Sequence, residues 1–252
     1  MSEHILLDRR GAVYTIRMAR PETKNALTLG MYTALTAALD EATADAGVRV
    51  VMISGAGGSF TSGNDLRDFA STPADGLDAP AFQFLRRIST FPKPLVAAVA
   101  GVAVGIGTTM LLHCDLVVAE PDARFSLPFI NLGLVPEAAS SLLLPRMLGH
   151  VRAAELLMLG GMFDAATAER FGIINKVSAA GACESDAMAW ADALAAKAPT
   201  ALMLTKALLK RELPDIVARI EAEATDFAAQ LRGPEFREAA AAFMAKRAPT
   251  FV

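Results

Sequence analysis

The sequence predicts a mixed α/β core followed by an all-helical C-terminal region, and three observations carry that expectation. Residues 50–54, 94–100 and 115–119 are almost continuously apolar, as strands covered on both faces must be. Between them lie segments whose apolar residues recur at helical spacing. Beyond Gly181 the pattern is helical throughout.

Taken in order, residues 5–9 and 12–18 are β-rich runs around Gly11 and read as a hairpin. The stretch from Arg20 to Leu27 breaks periodicity, after which Thr28 caps a helix with Leu29, Tyr32, Leu35 and Leu39 on one face until Gly47. The strand at 50–54 runs into a glycine-rich loop, 55–66, where α/β proteins present backbone to ligands. That loop lacks both the Lys-Ser/Thr ending of a phosphate loop and the G-x-G-x-x-G spacing of a dinucleotide site. Alone it reads equally well as a plain connection in which Asp65 caps the next helix. Residues 71–80 read as a mobile surface excursion, and a helix carrying Phe82, Leu85, Ile88 and Phe91 stops before Pro92.

The strand at 94–100 leads into Gly101, Gly105 and Gly107. Glycines there permit a sharp bend and a close approach by ligand or by a second segment. A helix over 107–113 puts the N–H groups near Ile106 at a helix start, where negative charge is stabilised. Packing alone would also account for those glycines. After the strand at 115–119 comes Glu137, the only acid between Asp122 and Glu155, flanked by Leu134, Val135, Ala138 and Ala139. Burial in such surroundings raises a carboxyl pKa and suits a general base near neutral pH. The alternative is ordinary helix-start chemistry, with Pro136 in the first turn and Glu137 beside it. A helix at 151–159, a short helix capped by Asp164 and a last strand at 173–177 follow. The organisation changes at 198–200, which divides a core at 1–198 from a helical region at 199–252. Stripes such as Ile216, Ile220, Ala224, Phe227 and Leu231 exceed what these helices can bury in one another. They are expected against the core or a second subunit.

A chain of 252 residues, 53% hydrophobic and without an apolar run long enough to span a bilayer, builds a sizeable globular core. The net charge of -3 gives no electrostatic reason to expect nucleic acid or an anionic membrane as partner. Cys114 and Cys183 are isolated and lack metal-ligand spacing, so a reducing compartment is expected. With neither signal-peptide features nor a peroxisomal ending in the sequence, the expected compartment is the cytoplasm. His113, Cys114 and Asp115 are consecutive and point in different directions, which favours structural roles. No G-x-S-x-G elbow is present.

In this order the motifs resemble the crotonase, or enoyl-CoA hydratase/isomerase, superfamily. The residues that carry the resemblance are Arg20-Pro21 with Lys24 to Leu27, Phe60 to Leu66, Lys93-Pro94 through Gly101, Gly105-Ile106-Gly107, Cys114-Asp115 and the helix holding Lys206. The resemblance implies a spiral of β-β-α turns with C-terminal helices that drive trimers and dimers of trimers. It implies an acyl-CoA thioester substrate, with coenzyme A part of that substrate and no separate cofactor or metal. Two backbone N–H groups then hold the enolate oxygen, and on this chain they fall at Asn64 and Ile106. Preorganised donors meet the developing charge without rearrangement, and one is worth about 3 kcal/mol. Expected substrate contacts are Lys24, Ala26, Leu27, Ser62, Gly63, Asn64, Asp65, Leu66, Gly105, Phe129 and Leu132, with Lys206 near the coenzyme A phosphates. Lys24 and Lys206 are otherwise surface amines.

Two departures bear on the reaction. The positions that match the paired glutamates of hydratases are Thr109 and Phe129, and neither is a general base. Residues 132–141, with Glu137, are similar instead to peroxisomal-type isomerases that convert 3-enoyl-CoA to 2-enoyl-CoA. That resemblance implies that Glu137 carries the proton. Hydratase, thioesterase, dehalogenase and decarboxylase chemistry, or silent acyl-CoA binding, are the alternatives.

Overall fold

A computed structural model describes residues 3–71, 78–210 and 213–251. The middle of the predicted surface excursion, at 72–77, lies outside the described residues. In chain order come β1 (Ile5–Arg10), β2 (Val13–Met18), α1 (Leu29–Ala44), β3 (Val50–Gly55), α2 (Leu66–Ser71), α3 (Pro80–Ser89) and β4 (Leu95–Val99). Next are β5 (Val102–Val104), α4 (Ile106–Thr109), β6 (Leu116–Ala119), β7 (Arg124–Ser126), α5 (Ser140–Leu148) and α6 (His150–Leu159). The core closes with β8 (Met162–Asp164), α7 (Ala165–Arg170), β9 (Lys176–Val177) and α8 (Cys183–Ala195). Three helices follow: α9 (Pro199–Leu209), α10 (Leu213–Leu231) and α11 (Pro234–Met244).

The apolar runs form a six-stranded sheet in the order β1-β2-β3-β4-β6-β9. The β1 to β2 hairpin is antiparallel and the remaining neighbours are parallel. Alternation within the strands explains their composition. Val50, Met52, Val96, Ala98 and Val118 pack with Ala187 and Ala191 of α8. Val51, Ile53, Leu95, Ala97 and Val117 face the larger core with Tyr32 and Leu35 of α1 and Phe84 and Ile88 of α3. Both faces are covered, so the strands are apolar at every position.

A second, three-stranded sheet, β5-β7-β8, has no counterpart in the sequence reading. Strands of three residues are too short to show alternation, and β5 sits inside the glycine-rich stretch. The last strand is also shorter than predicted, because the Ile173 and Ile174 amides bond back to the Ala168 carbonyl at the end of α7. Of the C-terminal helices, α10 turns its stripe onto the core, with Phe227 edge-to-face on Phe82 of α3 at 5.8 Å between ring centres. Helix α9 leaves Leu204, Leu208 and Leu209 exposed. Among the described residues no helix is long and apolar enough to cross a membrane, and no cluster of three or more His, Cys, Asp or Glu side chains could hold a metal ion.

Candidate active site

Two loops meet edge to edge and end on two amides, those of Asn64 and Ile106, that have no partner among the described residues. A parallel bridge joins Thr61 to Ala103, with the Thr61 amide on the Val102 carbonyl at 3.0 Å and the Val104 amide on the Thr61 carbonyl at 3.1 Å. Asn64 and Ile106 each lie three residues beyond that bridge, so they leave it side by side. Gly63 and Gly107 make the approach possible. A Cβ on Gly63, whose φ is +93°, would stand 2.9 Å from the Val104 carbonyl oxygen, and one on Gly107 would meet the Thr61 side chain at 2.7 Å. The flanks are pinned as well: the Leu27 amide bonds the Gly63 carbonyl at 2.8 Å and the Asp65 amide bonds the Leu27 carbonyl at 2.9 Å. That pairing turns the Asn64 N–H away from Leu27. Ile106 opens α4, so its N–H has no partner within the helix. Neither N–H donates to an acceptor among the described residues.

The buried Asn25 side chain donates to the carbonyls of Ala56 (2.9 Å) and Ser59 (2.7 Å) and accepts from the Arg20 amide (2.7 Å). It thereby fixes the glycine-rich loop against the preceding turn. Tyr32, predicted as a core residue of α1, also reaches this place, where its hydroxyl donates to the Asn64 side-chain oxygen.

Glu137 is 5% exposed and accepts a hydrogen bond from the Thr109 hydroxyl. Thr109 lies three residues after Ile106 in α4, about one helical turn, or ~5 Å, along the axis. Burial pushes the Glu137 carboxyl up to about 8, the Thr109 hydrogen bond pulls against that, and the charge of Glu223 adds to the rise. Glu137 does not sit in the first turn of a helix. Ala138 and Ala139 follow it with φ of 59° and 56°, and α5 begins only at Ser140. Left-handed alanines cost roughly 1–2 kcal/mol each, which ordinary helix-start chemistry would avoid.

The turn is held from both sides. His113, buried and neutral with its pKa pushed down to about 3 by burial and by Lys210, lies with Nε2 2.9 Å from the Ala138 carbonyl. Glu223 of α10 accepts from the Ala139 amide at 2.6 Å and the Ser141 amide at 3.0 Å. Sequence reasoning missed Glu223, although a signal was there. It lies within the apolar stripe of α10, between Ile220 and Phe227.

A cavity of about 1050 Å³ opens over the two amides. Ala26, Ser62, Gly63, Asn64, Asp65, Leu66, Gly105, Ile106, Phe129 and Leu132 all line it. Glu137 is not among its lining residues; it is held against Thr109, one helical turn after Ile106, which does line the cavity. Helices α10 and α11 supply Phe227, Leu231, Phe236 and Phe243, so the C-terminal region builds part of the cleft.

Three expectations require correction. Lys206 does not approach the cleft: it is 6% exposed, bonded to Asp115 and to the Lys93 carbonyl at 2.6 Å each, and stacked on Phe91. It closes a buried ion pair that ties α9 to the sheet. Leu27 is fully buried and serves the site only through its backbone. Lys24 is exposed and does not line the cavity. The cations at the cleft are instead Arg20, Arg67, Lys246 and Arg247, of which Arg20 pairs with Asp65 at 2.6 Å and Arg247 with Glu238 at 2.5 Å.

Residues 8–252 match the family model described as enoyl-CoA hydratase/isomerase. The chain belongs to that family. As an enoyl-CoA hydratase/isomerase family member it is 34% identical to enoyl-CoA delta isomerase 2 of Rattus norvegicus, over 98% of this chain and 64% of the relative's length. It is 32% identical to a probable enoyl-CoA hydratase of Rhizobium meliloti (strain 1021), over 99% of this chain and 98% of that one. Its fold matches the structure of Pseudomonas aeruginosa OdaA with a TM-score of 0.94 at 46% identity, covering 96% of this chain and 99% of the other. The family member is thus a mixed α/β, crotonase-type enzyme acting on acyl-CoA. Its relatives carry isomerase and hydratase names alike.

Proposed function

We propose that this enzyme moves the double bond of 3-enoyl-CoA thioesters to the 2-position. One observation carries the reading: the buried Glu137 carboxylate accepts a hydrogen bond from Thr109, which lies one helical turn after Ile106, while Thr109 and Phe129 occupy the places of the hydratase glutamates. The thioester oxygen rests between the Asn64 and Ile106 N–H groups. Glu137 takes the C2 proton, and the electron pair spreads over the dienolate toward that oxygen. The protonated Glu137 delivers the same proton to C4, leaving the double bond between C2 and C3. Nothing is gained or lost, so one acid-base group suffices. Phe129, 5% exposed in the cleft wall, keeps water from the dienolate. Arg67 and Lys246, both exposed at the cleft, suit the phosphates of the coenzyme A arm.

The test is a panel of 3-enoyl-CoA and 2-enoyl-CoA thioesters assayed for migration and hydration in parallel. Migration without hydration supports the reading. Hydration of 2-enoyl-CoA as fast as migration overturns it, and binding without reaction identifies a silent acyl-CoA-binding homologue.

A pH profile follows from the site. With its pKa at about 8, Glu137 is mostly protonated at neutral pH, and only its ionised form accepts the C2 proton. The kcat/KM for migration should therefore rise about tenfold per unit below pH 7 and level off above about 8. A profile flat from pH 5 to 8 contradicts the assignment.

We also propose that copies of this chain cover the exposed Leu204, Leu208 and Leu209 face of α9 in a trimer or a dimer of trimers. These side chains are 59%, 57% and 82% exposed on one helix. Such a contiguous apolar face marks an interaction surface. Sedimentation should give three or six chains per particle; a monomer at micromolar concentration contradicts the proposal.

A further inference from the structure

Glu223 lies on α10, far in sequence from the loop it touches, and is 6% exposed. Helix α5 starts after Ala139, whose side chain cannot cap it, so the first amides of the helix need an outside acceptor. Glu223 is that acceptor. One oxygen takes the Ala139 amide, while the other takes the Ser141 amide and hydroxyl. The two left-handed residues it secures directly follow Glu137, so the direction of the Glu137 side chain depends on them. One turn and two turns further along the same helix, Phe227 and Leu231 line the cleft. A single face of α10 therefore spans from the acid's supporting turn to the substrate cavity.

We propose that Glu223 is a positioning residue, a carboxylate from the C-terminal helices that holds the Ala138-Ala139 turn and so aims Glu137 at the substrate. The proposal rests on the reading of Glu137 as the proton carrier. It assigns the C-terminal region a part in the reaction beyond assembly. The charged and titratable groups facing the pair are Arg219 on α10, which lies 3.4 Å from the Ser141 hydroxyl, Tyr32 on α1 and the neutral His113 before β6. Lys210 stands behind His113, donating to its carbonyl at 3.0 Å. None of these replaces Glu223 as an acceptor at the α5 start. Burial raises the Glu223 carboxyl as well, against the pull of its Ser141 and Ala139 hydrogen bonds; once ionised, its charge opposes ionisation of Glu137, and removing it shifts the balance toward the ionised form.

The test compares the full-length enzyme with Glu223→Gln and Glu223→Asp. In Glu223→Gln the migration kcat should fall roughly tenfold or more as the geometry loosens, with KM within about threefold. The acid limb of kcat/KM should move to lower pH, which a merely structural role would not do. In Glu223→Asp the charge remains but the reach is shorter, so kcat should fall while the limb stays in place. Unchanged kcat and an unchanged limb in Glu223→Gln, or full kcat in Glu223→Asp, overturns the proposal.

A readout free of folding effects uses the wild-type protein with carboxyl carbon labelling of glutamate. The resonance absent from Glu137→Gln belongs to Glu137, and it should show a second inflection where Glu223 ionises. A single inflection overturns the coupling. This measurement does not depend on the reaction catalysed. Loss of the isomerase reading would instead show in the thioester panel, as hydration or as binding without migration, so the two failures are distinguishable.

Discussion

Glu137→Gln should lower migration turnover by about a hundredfold or more while leaving the protein folded. The amide has the shape of the carboxyl and keeps an oxygen for the Thr109 hydroxyl, so the cleft should hold its form. What it loses is the ability to accept and return a proton. Because the loss is confined to the chemical step, kcat and kcat/KM should fall together with little change in KM. The same variant carries a stability signature. The fold holds this carboxyl at about 8 against 4.5 in the unfolded chain, so the folded state binds the proton more tightly. Wild-type stability therefore declines as pH rises from 4.5 through 8, by a few kcal/mol in all. Glu137→Gln escapes that decline. Thermal melts at pH 5 and pH 9 should show its advantage over wild type growing with pH; an advantage that shrinks would contradict burial as the cause of the raised pKa.

Gly63→Ala should reduce turnover on the order of a hundredfold to a thousandfold, the scale set by loss of one oxyanion donor. Two effects act at one position. The φ of +93° is closed to an alanine without strain, and the new Cβ would lie 2.9 Å from the Val104 carbonyl oxygen. Relief requires the Asn64 loop to rotate or the two loops to separate, and either movement takes the Asn64 amide away from Ile106. The damage should fall on kcat, since most of the cleft wall is untouched. A variant with normal kcat, folded by circular dichroism, would show that the Asn64 amide does not hold the reacting oxygen.

Much of the architecture was legible because the strands that build the larger sheet are covered on both faces. Their composition at 50–54, 94–100 and 115–119 leaves little else they could be. The smaller sheet was not legible, since Val102–Val104, Arg124–Ser126 and Met162–Asp164 are each three residues long. At the site, the glycines and Glu137 stood out by type and spacing. The partners of Glu137 did not, because Thr109 and Glu223 come to it from distant helices through tertiary packing alone. Lys206 misled for a physical reason. A lysine late in an apolar helix resembles a surface amine, and only its contact with Asp115 under α9 identifies it as one half of a buried ion pair.

The most direct test follows the proton itself. A 3-enoyl-CoA bearing deuterium at C2, converted in ordinary water, should yield 2-enoyl-CoA with part of the label at C4, because a buried Glu137 returns the proton faster than it exchanges it. Label transfer should vanish with turnover in Glu137→Gln. Product carrying no label at C4, formed at the same rate by that variant, would contradict the account.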